Sequence, residues 1–440
     1  MSGVDDTPPP SYDASNLAEE ISRNGEMILN EEQNRVLDEV IRGRDTLITG
    51  PAGVGKSLLC KYICAEFDKM GKTYRIVAPT GVAAINVSGQ TIHRFLGIRP
   101  DIKCLSDYIK LCMKRSRVPW STLDVIMVDE ISMVHPHLFQ LFDEICRFHK
   151  RKSIPFGGIQ MIFVGDFYQL CPIRQKTDKA GDPEYVFETK LWKELNPHVA
   201  VLTQVMRQND VDFVEALNDL RLGLFSPRVV KMVQQCALNK RQKGKHYVRL
   251  FALNSQKNYA NETQLAKLTS EEKVYTSVDI GNELYLKDCR AEKKINLKIG
   301  CPVMLLWNLP EHGLCNGSVG IVEEYDSTGL PVVQFDDGPK IPITQQTWTV
   351  SEKNRHGIHI LASRTQVPLA VAYSISIHKS QGLTISHLVV DCTGIFTTGQ
   401  LYVALSRAST MEGLIIKNFD SQTIMVDQKV LGFFEILGLV

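Results

Sequence analysis

The chain has 440 residues, of which 44% are hydrophobic and 22% charged, and its formal net charge is +1. This length suits roughly two to four domains of ~100–200 residues each, and the composition excludes wholesale disorder. Bulk charge carries no argument for nucleic-acid binding, which would need local basic stripes and stacking aromatics instead. No stretch reaches the ~20 apolar residues of a membrane span, so no membrane contact is expected. The eleven cysteines are scattered without a C-x-x-C pair. Together with a polar, Pro-rich start that lacks an apolar signal core, they predict reduced thiols and a nuclear or cytoplasmic location.

Residues 1–25 read as a flexible arm. It contains Pro9-Pro10-Ser11-Tyr12, a P-P-x-Y string of the kind WW domains bind as polyproline II, although a plain linker is the favoured reading. From residue 26 to 202 the pattern is α/β. Strands are predicted at Thr46–Thr49, Tyr74–Ala78, Val125–Val128, Met161–Val164 and Ala200–Thr203, with helices between them, for example at Gln33–Ile41 and Pro136–Phe148. Such alternation implies a parallel sheet covered by helices, whose ligands gather at the carboxyl ends of the strands.

Gly50-Pro51-Ala52-Gly53-Val54-Gly55-Lys56-Ser57 follows the first strand and precedes a helical run. It fits G-x-x-x-x-G-K-S/T, a loop whose backbone N–H groups cradle the phosphates of a nucleoside triphosphate at a helix N-terminus. Lys56 would reach the β/γ-phosphates and Ser57 would ligate Mg²⁺. Asp129-Glu130 ends the strand at Val125–Val128 and supplies a candidate metal ligand in Asp129 and a candidate general base in Glu130. Gly165-Asp166-Phe167-Tyr168-Gln169-Leu170 ends the next strand. There Gln169 is a candidate contact to the terminal phosphate or its attacking water, and Phe167 and Tyr168 suit either core packing or base stacking.

A second α/β region is predicted over 203–269 and 351–440. It includes a helix at Val211–Leu222, and strands at Val248–Ala252, Gln366–Ala372, Leu388–Val390 and Leu414–Lys417. Between its halves, 270–350 alternates short β-like runs with the turn signals Asn316-Gly317, Ser327-Thr328-Gly329 and Asp336-Asp337-Gly338. This predicts a small antiparallel barrel inserted in the second domain.

Taken together, these motifs resemble a superfamily-one helicase of the petite-integration-frequency family, related to RecD-type enzymes. Further stretches carry the resemblance in family order: Leu29 to Gln33; Ala78-Pro79-Thr80-Gly81 with Gly89 to His93; Phe139 to Arg147; Gln204 to Gln208; Ser376 to Thr384; and Tyr402 to Ala408. One departure is Leu170-Cys171-Pro172, where the family commonly has Leu-Pro-Pro. The resemblance implies two RecA-like domains with an SH3-like insertion, and ATP and Mg²⁺ bound between the domains. Gln33 would read adenine, Arg207 and Arg407 would reach the γ-phosphate, and Gln381 and Gly382 would approach the nucleotide. It further implies a single-strand track of Pro79, Thr80, His93, Phe95, His378, Lys379 and Ser380, with Lys298, Asn316 and Gly317 on the insertion. The implied activity is 5′-to-3′ DNA unwinding by a monomer on single-stranded DNA and duplex junctions, with RNA–DNA hybrids and G-quadruplexes as further obstacles. An RNA-directed helicase and a nucleotide-switched binder without strand separation are the alternatives. The basic runs Lys114 to Arg117, Lys150-Arg151-Lys152 and Lys240-Arg241 suit either phosphate contacts or a solvated face.

Overall fold

The structure is a computed structural model that describes residues 29–439, apart from 88, 99–101, 103, 112–117, 173, 175–177, 206–209, 287–288, 290, 308, 315, 337 and 355–356. The arm with Pro9–Tyr12, the run Lys114 to Arg117 and Arg207 lie outside the described residues. The chain forms two compact units. The first holds the described residues up to Phe167, then those of 171–206, and it also takes 351–360; the second holds Tyr168–Leu170 and the described residues of 207–350 and 361–440.

The first unit is built on a six-stranded sheet. Its strands are β1 (Thr46–Thr49), β2 (Tyr74–Ala78), β3 (Gln90–Thr91), β4 (Val125–Val128), β5 (Gln160–Val164) and β6 (His198–Val201), in the order β3-β2-β4-β5-β1-β6. Every pairing is parallel. All four residues of β1 and of β4 are buried, as strands of a parallel sheet covered on both faces should be. The helices Glu31–Ile41 and Lys56–Lys69 pack over β1 through Val36, Val40, Leu59, Ile63 and Phe67, against Ile48 and Val164. Since β2, β4, β5 and β1 are consecutive neighbours, the four motifs at their carboxyl ends lie side by side.

The second unit has its own parallel sheet, β18-β7-β19-β20, made of β7 (Val248–Phe251), β18 (Ser374–Ser376), β19 (Leu388–Asp391) and β20 (Leu414–Lys417). Its inserted region carries an antiparallel sheet of five strands. They are β11 (Pro302–Leu305), β12 (Val319–Tyr325), β13 (Pro331–Phe335), β14 (Lys340–Pro342) and β17 (Leu369–Val371), in the order β14-β13-β12-β11-β17.

Two sequence expectations need correction here. The run Gln366–Ala372 is not a strand of the parallel sheet, because Leu369–Val371 pairs antiparallel with β11 and Leu369 is buried beside Val303, Leu305 and Phe335 in the insertion's core. The fourth parallel strand is Ser374–Ser376, just beyond it. A short apolar run gives no sign of its partner's direction, so the boundary was placed too early. Thr203 to Val205, assigned to the second domain from sequence, group with the first unit.

Candidate functional site

Gly50 leaves β1 with φ 145°, and a Cβ there would lie 2.2 Å from the carbonyl oxygen of Leu202. Only glycine lets the chain after β6 pass this close, where the Leu202 N–H donates to the Thr49 carbonyl at 2.8 Å. Gly53 and Gly55 also take positive φ, 86° and 79°, which costs glycine no Cβ clash. Gly55 is the N-cap of the Lys56–Lys69 helix and offers it no side-chain cap, and helix starts of this kind can hold anions. Pro51, Ala52 and Val54 complete the loop, Val54 being buried. Ser57 is exposed in the first helical turn. The Lys56 ammonium donates to the Gly50 and Pro51 carbonyls at 2.8 and 2.9 Å, so its charge is folded over the loop it serves.

Gln33 is fully buried and pinned at both ends of its amide. Its Oε1 accepts the Asn30 N–H at 3.1 Å in a capping box, and its Nε2 donates to the Val54 carbonyl at 3.2 Å. The adenine-reading candidate therefore braces the phosphate loop directly. Glu32, which sequence reasoning passed over, accepts from the Thr203 and Gln204 N–H groups at 2.9 and 3.4 Å. Burial raises its carboxyl, but those bonds and the Thr203 hydroxyl prevail and hold it below the usual carboxylate value. The only hint in the sequence was a second acid at a helix start.

Asp129 and Glu130 follow β4. Burial raises the Asp129 carboxyl well above its ordinary value, Glu130 beside it adds to the rise, and Lys56 opposes it. The Lys56 charge thus reaches Asp129 electrostatically, which joins the loop after β1 to the acids after β4. Glu130 takes φ 51°, a conformation non-glycine residues seldom adopt and one that costs about 1–3 kcal/mol. Gly165, after β5, accommodates that turn, since a Cβ there would sit 3.0 Å from the Ile131 nitrogen. Asp166 is wholly buried at the same strand end.

In the second unit, Gln169 is buried and its Oε1 lies 3.5 Å from Nε2 of Gln381. Gln381 closes the short Ile377–Ser380 helix, and Gly382 follows with φ 80°. Arg407 is 2% exposed. Its Nε donates to the Val403 carbonyl at 2.9 Å, Nη1 to the Leu383 carbonyl at 3.3 Å and Nη2 to the Ser406 hydroxyl at 3.0 Å. Its charge is held by groups within two of the motif stretches, Ser376 to Thr384 and Tyr402 to Ala408.

The family of proteins that matches this pattern is the PIF1-like helicase family, over residues 28–241, and a second match, the 2B domain of the DNA helicase Pif1, covers residues 284–325. The chain is 36% identical over 417 residues to the human ATP-dependent DNA helicase PIF1, an alignment covering 93% of this chain and 64% of that protein. The crystal structure of Pif1 helicase from Candida albicans superposes with TM-score 0.77 at 33% identity, covering 93% of this chain and all of the other. The chain belongs to the PIF1-like helicase family. Pif1 from Bacteroides in complex with ADP-AlF3 and single-stranded DNA matches with TM-score 0.66 at 29% identity, over 94% of this chain and 97% of that one. The chain spans just under two thirds of the human relative's length.

The structure sorts the expected strand track of this family member. Pro79 and Thr80 are half-buried after β2, and the Thr80 hydroxyl caps the Gly81–Asn86 helix by accepting the Ala83 N–H at 3.2 Å. His93 is half-buried and Lys379 exposed. His378 is half-buried, and burial lowers its imidazole below the ordinary value. Two expectations fail. Phe95 is 2% exposed and packs edge-on against Trp120 and Phe142 at 5.5 and 5.8 Å, so it is a core residue and offers no face to a base. Ser380 is fully buried with its hydroxyl donated to the Ile377 carbonyl at 2.7 Å, so it steadies its helix and does not face a phosphate. On the insertion, the Lys298 ammonium donates to the Leu268 carbonyl at 3.0 Å. Asn316 is half-buried, and a Cβ on Gly317 would touch Leu383 at 3.5 Å. Lys150 is likewise structural, donating to the Trp120 and Leu123 carbonyls at 3.0 Å each. Arg151, Lys152, Lys240 and Arg241 are exposed.

Proposed function

We propose that this protein is an ATP-dependent DNA translocase that unwinds duplex ahead of it while moving 5′ to 3′ on single-stranded DNA. One observation carries the chemistry. The phosphate loop, the acid pair and Asp166 sit at the ends of the neighbouring strands β1, β4 and β5, with Lys56 in electrostatic reach of Asp129. The Lys56–Lys69 helix start and its ammonium hold the β/γ-phosphates of ATP. Glu130 accepts a proton from the water that attacks the γ-phosphorus, and Gln169 orients that water. The bond from the γ-phosphorus to its bridging oxygen breaks, leaving ADP and phosphate. Arg407 and Arg207 stabilise the charge that develops on the transferring group. Gln33 sets the base end of the nucleotide, and Gln381 and Gly382 approach its phosphates.

The donor set suits Mg²⁺. A buried carboxylate whose charge is unfavourable on its own and a helix-start hydroxyl are oxygen ligands for a hard cation. Ser57 and Asp129 would hold the ion, which neutralises phosphate oxygens when bound.

On the DNA side, Pro79, Thr80, His93, His378 and Lys379 supply the short polar and cationic contacts that fix a backbone without reading sequence. The single-stranded DNA in the Bacteroides Pif1 structure supports this reading, as do the family's matches on the insertion. The enzyme acts as a monomer, and forked duplexes, RNA–DNA hybrids and G-quadruplexes are candidate obstacles.

The test is strand separation on duplexes carrying a 5′ or a 3′ tail, with ATP and Mg²⁺, for wild type and Lys56→Ala. Unwinding from the 5′ tail alone, lost in the variant, is expected. Unwinding from the 3′ tail only refutes the polarity, and activity surviving Lys56→Ala refutes the nucleotide site.

A further inference from the structure

The segment after β5 changes its surroundings within one peptide bond. Phe167 packs edge-on against Phe187 and Tyr185 at 5.0 and 6.3 Å in the first unit, whereas Tyr168 belongs to the second. Tyr168 is 4% exposed. Its ring stacks on Phe434 with centroids 4.9 Å apart and planes 15° from parallel, and the Arg221 guanidinium lies 4.3 Å from the same centroid. Phe434 belongs to the C-terminal helix Gln428–Ile436, and Arg221 ends the helix Val211–Arg221. The backbone on either side is held just as closely. A Cβ on Gly399, which has φ 71°, would lie 2.5 Å from the carbonyl oxygens of both Tyr168 and Gln169. Gly399 is also the N-cap of the Gln400–Leu405 helix, which leads directly to Arg407.

Three elements therefore converge on a three-residue segment whose middle member is Gln169. Stacked aromatics and a cation over a ring are directional contacts, and they fix the orientation of this segment. Burial alone would fix only its depth.

We propose that Tyr168, gripped by Phe434 and Arg221, is a positioning residue that sets Gln169 for the hydrolytic step, so that the C-terminal helix supports catalysis without touching the nucleotide. This rests on the reading of Gln169 as a contact of the terminal phosphate or its water. Tyr168 transmits the constraint through the backbone it shares with Gln169. A displacement of about 1 Å in a catalytic group can cost on the order of a hundred-fold in rate.

The test is steady-state ATP hydrolysis with saturating single-stranded oligonucleotide and Mg²⁺ for Phe434→Ala, Phe434→Tyr, Gln169→Ala, the double variant Gln169→Ala/Phe434→Ala, and Lys56→Ala. Phe434→Ala should lower kcat about ten-fold or more while the KM for ATP moves less than about two-fold, the mark of an interaction acting in the transition state. Phe434→Tyr, which keeps the stack, should recover most of the rate. The double variant should be no slower than Gln169→Ala alone, because both changes remove one function. A Phe434→Ala protein that melts earlier yet keeps its kcat overturns the proposal, and so does a double variant as slow as the product of the two singles. Should Phe434→Ala not fold, Phe434→Leu keeps most of the apolar volume, loses the stack, and is judged by the same criteria. If Gln169→Ala keeps full kcat while Lys56→Ala is inactive, the reading of Gln169 fails and takes the proposal with it. If Gln169→Ala is slow and the Phe434 variants are not, only the clamp is refuted.

Discussion

Lys56 and Arg407 are both cations at motif positions, yet the two units hold them differently. Lys56 is half-buried and rests on the carbonyls of its own loop, Gly50 and Pro51. Arg407 is buried, and its three nitrogens are committed to Val403, Leu383 and Ser406. The first arrangement is local, in which a glycine-rich turn holds a lysine through its own carbonyls. The second joins Leu383, just past the Ile377–Ser380 helix, to the Gln400–Leu405 helix through one guanidinium, so the charge cannot be removed without loosening the unit around it. A ligand-binding cation can be energetically separate from its fold, or part of what holds the fold together.

The largest expected effect sets these two residues against each other. Arg407→Ala should lower the ATPase kcat about 10³-fold or more, as loss of a phosphate-directed arginine does. It should also destabilise the fold by about 1–3 kcal/mol, read as a lower urea midpoint, because the Val403 and Leu383 carbonyls lose buried donors. Lys56→Ala should abolish hydrolysis with an unchanged urea midpoint. Equal midpoints for both variants, read by circular dichroism, would break the contrast.

Next come two residues whose roles lie wholly in stability, one in each unit. Phe95→Ala should cost about 3–5 kcal/mol by emptying the pocket between Trp120 and Phe142, and the affinity of the folded fraction for single-stranded DNA should be unchanged. Asp279→Asn in the insertion breaks a pair with Arg364 in which both side chains are 10% exposed and the shortest contact is 2.6 Å, and should cost a similar amount at neutral pH. The Arg364 hydrogen bonds hold the Asp279 carboxyl down at about 2, against an ordinary value of 3.8. A carboxyl lowered in the folded state contributes stability above its unfolded value, and that stability is lost as pH falls through the folded one. The difference in denaturation midpoint between wild type and Asp279→Asn should therefore shrink as pH drops from about 4 toward 2. A difference that stays constant over this window would show that the charge is not the source of the effect.

The smallest effect belongs to Thr80→Ala. Losing the hydroxyl that accepts the Ala83 N–H should cost about 1 kcal/mol, seen as faster hydrogen exchange confined to Gly81–Asn86. If Thr80 also touches a DNA phosphate, affinity should fall alongside; an unchanged affinity would leave the residue as a helix cap alone.

The sequence by itself determined the parallel sheet of the first unit and the loops at its strand ends. The phosphate loop, the acid pair and the strand ends were legible because each depends on backbone conformations that few residue types allow, glycine at positive φ above all, and on apolar runs whose burial leaves one choice of strand. Family order added the second unit's motifs. Only the tertiary structure decided which of the remaining motif residues face inward. Phe95 and Ser380 stand in the right motifs but are sealed in the core, and Gln366–Ala372 looked like a parallel strand until Leu369 was found among the insertion's apolar residues. The stacking of Tyr168 on Phe434, 266 positions further along the chain, was likewise invisible. Side-chain direction and long-range pairing are set by the balance of burial among all the elements at once, and a local motif does not contain that balance.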